Sequence, residues 1–233
     1  MYARLEIART ELDNSRSLYL KDENGRLVPK NEIKQLLDEF IDLCNKQGVT
    51  RLKEWSTTPD EYHTSYSRLF DKIDRDIISI NRKVVPITQP SEKYEPEGIL
   101  ALTNGMFGSY DFAVNWLGYH GEHMDFVLDL GEITQVNSIS IDFLQGLNDW
   151  IFLPSYVQFE VSENGEDYAI IEKIANQNPE DKKGIFIQTF KSDVNKRKAR
   201  YVRVHAQSLI HCPEWHLGAG GPVWIFADEI IVR

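Results

Sequence analysis

The chain has 233 residues, and 26 Lys and Arg against 36 Asp and Glu leave a formal net charge of −10. That balance excludes non-specific nucleic-acid binding, which rests on cations neutralising phosphates. An apolar content of 42% with 27% charged residues describes a globular chain, and no apolar run approaches the ~20 residues of a membrane helix, so neither a nucleic-acid partner nor membrane insertion is expected.

Residues 1–80 carry helical signals. From Tyr2 to about Tyr19, Leu5, Ala8 and Leu12 share one side of a weak helix, and Asp22-Glu23-Asn24-Gly25 reads as a turn between helices. Over 31–48, Ile33, Leu36, Leu37, Phe40, Ile41 and Cys44 alternate spacings of three and one, the stripe of one helix face. Asn31 caps that helix and Gly48 closes it in the left-handed conformation. Thr58-Pro59-Asp60-Glu61 is a capping box with proline at the first helical position, and opens a helix with the stripe Tyr62, Tyr66, Leu69, Phe70, Ile73 and Ile77. Nothing polar converges on these faces, and their expected role is packing.

Near Asn81 the period shortens to two. Runs at 124–130, 138–144, 156–162, 185–190, 201–206 and 224–232 read as strands, with Ile139, Ile141 and Phe143, and Val157, Phe159 and Val161, alternating with polar neighbours. Glu163-Asn164-Gly165-Glu166 is a hairpin turn, and no helical period separates the strands. The expected fold is mainly β: an antiparallel β-sandwich or jelly roll over 81–233, preceded by a small α-helical region over 1–80. Cys44 and Cys212 have no zinc-ligand spacing, and two cysteines make no disulfide framework.

Four segments of the second region occur in a telling order: Leu102-Thr103-Asn104-Gly105, Asp129-Leu130-Gly131, Val161-Ser162-Glu163-Asn164-Gly165 and Ala199-Arg200-Tyr201-Val202-Arg203-Val204, before a closing Ala227-Asp228-Glu229-Ile230. Together they resemble the coagulation-factor type C, or discoidin, domain, whose bacterial members form carbohydrate-binding module family 32. Phe143-Leu144-Gln145 with Trp150-Ile151-Phe152 and Pro154 is similar to such domains at the C-termini of bacterial chitobiase-like and hexosaminidase-like glycoside hydrolases. Arg4-Leu5-Glu6-Ile7-Ala8-Arg9 and the 48–55 stretch resemble the segment just after the catalytic barrel in some large glycosidases. The resemblance implies a C-terminal, galactose-binding-like accessory module without catalytic activity, with the catalytic domain upstream in the same polypeptide and a periplasmic, cell-surface or secreted location.

The family binds its ligand through loops at one end of the sandwich. Here 116–121, 145–150 and 211–218 supply loops with rings for the apolar faces of sugars and polar groups for their hydroxyls. The carbohydrate-binding candidates are Tyr119, His120, Gln145, Asn148, Trp150, His211, Trp215 and His216. Trp116 matches the family's structural Trp, and Trp224, alternating with Phe226, is assigned to the core.

The resemblance also implies a structural Ca²⁺, with Asn104, Asp111 and Glu229 as its ligands. Asn104 stands where the family usually has Asp, and the lost charge weakens such a site. Two rival readings use the same loops. One is a protein-binding or adhesion domain. The other is a cupin-like metalloenzyme with His120, Glu122, His123, His211, Glu214 and His216 around a metal, which requires those histidines to converge. No nucleophile elbow or phosphate loop is present, and no catalytic carboxylate pair is defined, so catalysis by this chain is not expected.

Overall fold

The computed structural model describes residues 19–21, 27–29, 31–52, 58–68, 77–94, 98–113 and 115–233. Ahead of the sandwich, β1 (Tyr19–Lys21) pairs antiparallel with β2 (Leu27–Pro29). Strands rather than helices therefore flank the 22–25 turn, which itself lies outside the described residues, as do the helix expected before Tyr19 and the Asn31 side chain on which the expected cap depends. Helix α1 (Asn31–Lys46) buries Leu37, Phe40, Ile41 and Cys44, the expected stripe. It ends at Gly48, φ 66°, and Val49 N donates to Cys44 O across 2.9 Å, the hydrogen bond that a left-handed residue permits there. Helix α2 (Pro59–Ser67) carries the capping box in full: Thr58 N donates to Glu61 Oε2 (2.8 Å), and Glu61 N to Thr58 Oγ1 (3.2 Å). Tyr62 packs its ring 5.4 Å from Phe40, the seam between the two helices. Leu69, Phe70, Ile73 and the Tyr66 side chain fall outside the described residues. No described helix is long and apolar enough to cross a membrane.

Among the described residues, seven antiparallel strands come next: β3 (Lys83–Pro86), β4 (Leu117–His120), β5 (Met124–Gly146), β6 (Tyr156–Ser162), β7 (Ala169–Ala175), β8 (Ile185–Gln207) and β9 (Trp224–Val232). β5 and β8 run 23 residues each and bend, so that each serves both layers. Their first layer joins the C-terminal half of β5 to β9, β4 and the N-terminal half of β8; the second joins the other halves to β3, β6 and β7. The separate strands expected at 124–130 and 138–144 are two halves of one strand, as are those at 185–190 and 201–206. Alternation fades at the bend because its residues are exposed, while the register shifts between Asp129 and Thr134, beside Gly131 at φ 89°.

The core holds Phe126, Leu128, Ile139, Ile141, Phe143, Val157, Phe159, Val202, Val204 and Ile225 between the layers. β7, which the sequence reading lacks, is an edge strand with no buried residue and therefore no alternation to read.

Residues ahead of β3 already belong to this body. Ile78 N donates to Val232 O (2.9 Å), and Ser79 Oγ to Ile230 O (2.6 Å). Arg68, just past α2, reaches further. Its Nη1 donates to Asp228 Oδ2 (2.9 Å) and to Gly108 O, its Nη2 pairs with Asp142 Oδ2, and its guanidinium lies 5.1 Å from the Phe107 ring centre.

Candidate functional site: an aromatic cleft at the loop end

After β5 the chain makes one tight turn, Leu147–Asp149, and Trp150 comes after it with φ 63°. Trp150 N donates to Leu147 O (3.0 Å) and its carbonyl accepts from Trp224 N (2.8 Å), so both peptide groups of this left-handed residue are held. The 208–223 loop lies against the indole, and only glycine permits the approach. A Cβ on Gly218 would stand 2.6 Å from Trp150 Cζ2, and one on Gly221 2.7 Å from Cζ3. His216 locks the loop to the turn. Its Nδ1 accepts from Gly218 N (3.1 Å), which leaves the proton on Nε2 to be donated to Leu147 O, 2.8 Å away.

On the other side of Trp150 lies a cleft of about 250 Å³, lined by Lys93, Tyr94, Phe112, Asp149, Trp150, Ile151, Trp224 and Phe226. Trp224 stacks on Phe226 (5.5 Å, 27°) and under His120 (4.2 Å, 17°), and Tyr94 meets it edge-on at 5.0 Å. Lys93 Nζ stands 5.1 Å from the Tyr94 ring centre. Two indoles and a phenol thus face a space with a cation and a carboxylate at its rim, a combination that accepts an apolar ring face and bonds hydroxyls at its edge.

Of the predicted sugar-binding residues, His120, Asn148, Trp150, His211, Trp215 and His216 lie at this end of the sandwich, and Trp150 lines the cleft. Trp215, 48% exposed, packs on the far side, its ring 5.7 Å from His216. Two candidates are corrected. Tyr119 is fully buried in the core, because β4 turns it inward and its neighbour His120 outward. Gln145 is buried as well, its amide donating to Lys182 O (2.6 Å), so it ties down the 178–186 segment and offers nothing to a ligand. Trp224 is corrected in the opposite sense: it is half-buried and walls the cleft. Sequence reasoning also missed Lys93, Tyr94, Phe112 and Asp149. Trp224 and Phe226 did signal a shared face, but alternation alone does not say which face is inside. Trp116 is buried as expected, its Nε1 donating to Ser109 O (2.7 Å).

The metal candidates are more dispersed. Glu229 is buried, Oε1 accepting from Gly105 N (2.9 Å) and Oε2 without a hydrogen-bond partner; burial holds its carboxyl well above the usual range. Asn104, also buried, turns its Oδ1 to Met106 N (2.9 Å), and Asp111 turns its Oδ1 to Ala113 N (3.0 Å). The histidines of the metalloenzyme reading go separate ways: His120 onto Trp224, His216 onto Leu147 O, and His123 onto Ser208 and Gln207. Among the described residues no three His, Cys, Asp or Glu side chains are grouped to hold a metal.

Residues 86–223, more than half of the chain, match the F5/8 type C domain family, and the protein belongs to that family. No curated protein matches it. Among solved structures, it is similar to chitosan-binding module 1 of a Paenibacillus sp. IK-5 chitosanase/glucanase (16% identity, 68% of this chain and 99% of that one, TM-score 0.43). It is also similar to a fucose-binding module of Streptococcus pneumoniae (12% identity, 69% and 98%, TM-score 0.42).

Proposed function

We propose that the protein is a non-catalytic carbohydrate-binding module that holds a terminal sugar in the cleft between Trp150 and Trp224. The observation that carries this reading is the pair of indoles facing one small space, with Lys93 and Asp149 at its rim. The cleft is smaller than the roughly 300–1,000 Å³ of drug-sized pockets, which suits a single ring better than an extended protein surface. The apolar sugar face lies on Trp150, its edge meets Trp224, whose ring is already stacked by His120 and Phe226, and the hydroxyls meet Lys93, Asp149, Asn148 and His120. Single-site affinity is weak, because little apolar area is covered. In this reading the module serves a glycoside hydrolase in the same polypeptide, outside the cytoplasm, and raises the effective concentration of its glycan.

A glycan array probed with the whole chain and with Trp150→Ala tests it. Binding to a defined terminal sugar, weakened about tenfold or more in the variant, is expected, the equivalent of about 1.4 kcal/mol of lost stacking. A silent array, or a Trp150→Ala protein that binds as well as the parent, would remove this reading in favour of a protein-docking role.

We also propose a structural Ca²⁺ at Glu229. The partnerless buried oxygen of that carboxylate fits a hard cation, with Asn104 shaping the adjoining loop; Asp111, engaged in its own turn, contributes less than the sequence reading assigned to it. Saturating Ca²⁺, at about 100 times its dissociation constant, then stabilises the fold by about 2.7 kcal/mol. The melting temperature should rise on adding Ca²⁺, fall back with EDTA, and stay indifferent to both in Glu229→Gln. An unchanged melting curve in the parent protein would refute the site.

A further inference from the structure

The outer face of the second layer carries a connected polar row that the cleft does not use. Asp125 of β5 sits opposite His205 of β8 and is almost wholly buried. Its carboxylate accepts both Nε (3.0 Å) and Nη2 (2.8 Å) of Arg203, and His205 Nδ1 lies 3.2 Å from its Oδ2. The row continues through Gln207, whose Oε1 is 3.4 Å from His205 Nε2 and accepts from Tyr156 Oη (3.2 Å). Gln207 Nε2 is 3.1 Å from His123 Nε2, and His123 Nδ1 accepts from Ser208 N at 3.2 Å. Ser208 is buried and begins the loop that carries Trp215 and His216.

Proton counting makes this row bistable. A neutral imidazole has one nitrogen able to accept, yet both nitrogens of His123 face donors, Ser208 N–H and the Gln207 amide nitrogen. While His205 is neutral the conflict is resolved by a half-turn of the Gln207 amide. His123 Nε2–H then donates to Gln207 Oε1, the amide nitrogen donates to His205 Nε2 and Tyr156 Oη, His205 Nδ1–H donates to Asp125, and Ser208 keeps its acceptor. Protonating His205 places a hydrogen on its Nε2, which repels the amide nitrogen and turns the oxygen back towards itself. The amide nitrogen then faces His123 Nε2, which must accept. The proton of His123 moves to Nδ1, against Ser208 N–H, and that anchor is lost.

We infer that Asp125, His205, Gln207 and His123 form a proton-coupled relay that releases the root of the 208–223 loop when His205 takes up a proton. Its bearing on sugar binding rests on the carbohydrate-binding reading, since Trp215, His216 and the wall behind Trp150 all hang from that loop. The surrounding charges favour one proton shared between two rings. Asp125 raises the proton affinity of His205, whereas burial and the nearby His205 lower that of His123, the two rings standing 5.8 Å apart. The other groups facing the pair are Arg203, held also by Glu160 at 3.7 Å, with Tyr168 nearby; Glu122 beside His123; and Tyr156, whose ring carries Lys173 Nζ at 3.6 Å. The switch therefore operates on the alkaline side of the ordinary imidazole value of about 6.5.

The test is NMR on the whole chain without ligand, between about pH 5.5 and pH 8.5, following the His205 ring, the Ser208 amide and the Trp215 indole N–H. Ser208 exchange, corrected for the intrinsic pH dependence, should speed up about tenfold as His205 protonates, the loss expected for one hydrogen bond. The Trp215 signal should shift with the same midpoint. In Gln207→Leu, His205 still titrates while Ser208 and Trp215 no longer respond. A Ser208 amide that stays flat in the parent, or tracks His205 equally in Gln207→Leu, overturns the relay. A silent glycan array removes the sugar reading and leaves the relay standing, because these signals are read without ligand.

Discussion

Replacing Arg68 with Ala should lower the stability of the chain by about 3–5 kcal/mol, the usual cost of removing one partner from a buried ion pair. Arg68 is the cation between two carboxylates: Asp228, with no exposed surface, and Asp142, with little. Burial and the nearby Asp142 already hold the Asp228 carboxyl up, to about 7, against the pull of Arg68. Without the guanidinium, the two carboxylates face each other across the slot between Phe107 and Trp116 that it filled. At about 2–4 °C per kcal/mol for a chain of this size, melting should fall by roughly 6–20 °C.

The pH dependence comes from the sign of the shift. A carboxyl whose folded pKa lies above its unfolded value binds more protons folded than unfolded, so stability falls as pH rises between the two. In Arg68→Ala the deficit should be largest above pH 7 and shrink towards pH 5. Asp228→Asn, costly in the parent, should restore part of the loss in the variant, which a double-mutant cycle measures. A change within about 1 kcal/mol, or an Asp228→Asn that costs the same in both backgrounds, would show that this contact is not what holds the helical segment to the sandwich. The family match begins at residue 86, so a fragment cut there loses this cation and should melt lower than the whole chain.

This contact marks the limit of what the sequence discloses. The α2 capping box was legible because its two hydrogen bonds close between residues three apart. The β-sandwich was legible because alternation in 138–144 and 156–162 reports burial on one side. Arg68 and Asp228 are 160 positions apart, and no local pattern pairs them. The same distinction explains the site. Trp150 and Trp215 stood out because bulky rings sat among turn residues. Trp224 was given the wrong environment because alternation defines two faces without saying which one the other layer covers, and Tyr119 because residues 117–120, read as part of a loop, form β4 and turn its ring into the core. Tyr94 and Phe112 lie in segments without period, and only the closed fold brings them onto Trp224 and Phe226.

Gly218→Ala should weaken sugar binding about as much as Trp150→Ala, without touching a ligand-facing atom. The added methyl would lie 2.6 Å from Cζ2, 2.7 Å from Cε2 and 2.8 Å from Cη2 of Trp150, closer than any carbon contact tolerates, so the ring must move. The loop holding Gly218 is fixed by the His216 bonds to the turn, so the indole yields first, swinging into the space it walls. Such overpacking costs the fold about 1–3 kcal/mol, short of unfolding. The double variant separates cause from coincidence. With Trp150 already reduced to Ala, the methyl at 218 meets no ring, and the second substitution should add nothing to the loss of affinity, a coupling that only neighbours show. Binding by Gly218→Ala at the parent's strength, or a further loss on top of Trp150→Ala, would mean that the ligand does not depend on the position of this ring. If the cycle closes as expected, the two glycines that let the loop lie on Trp150 set the depth of the cleft, although neither faces it.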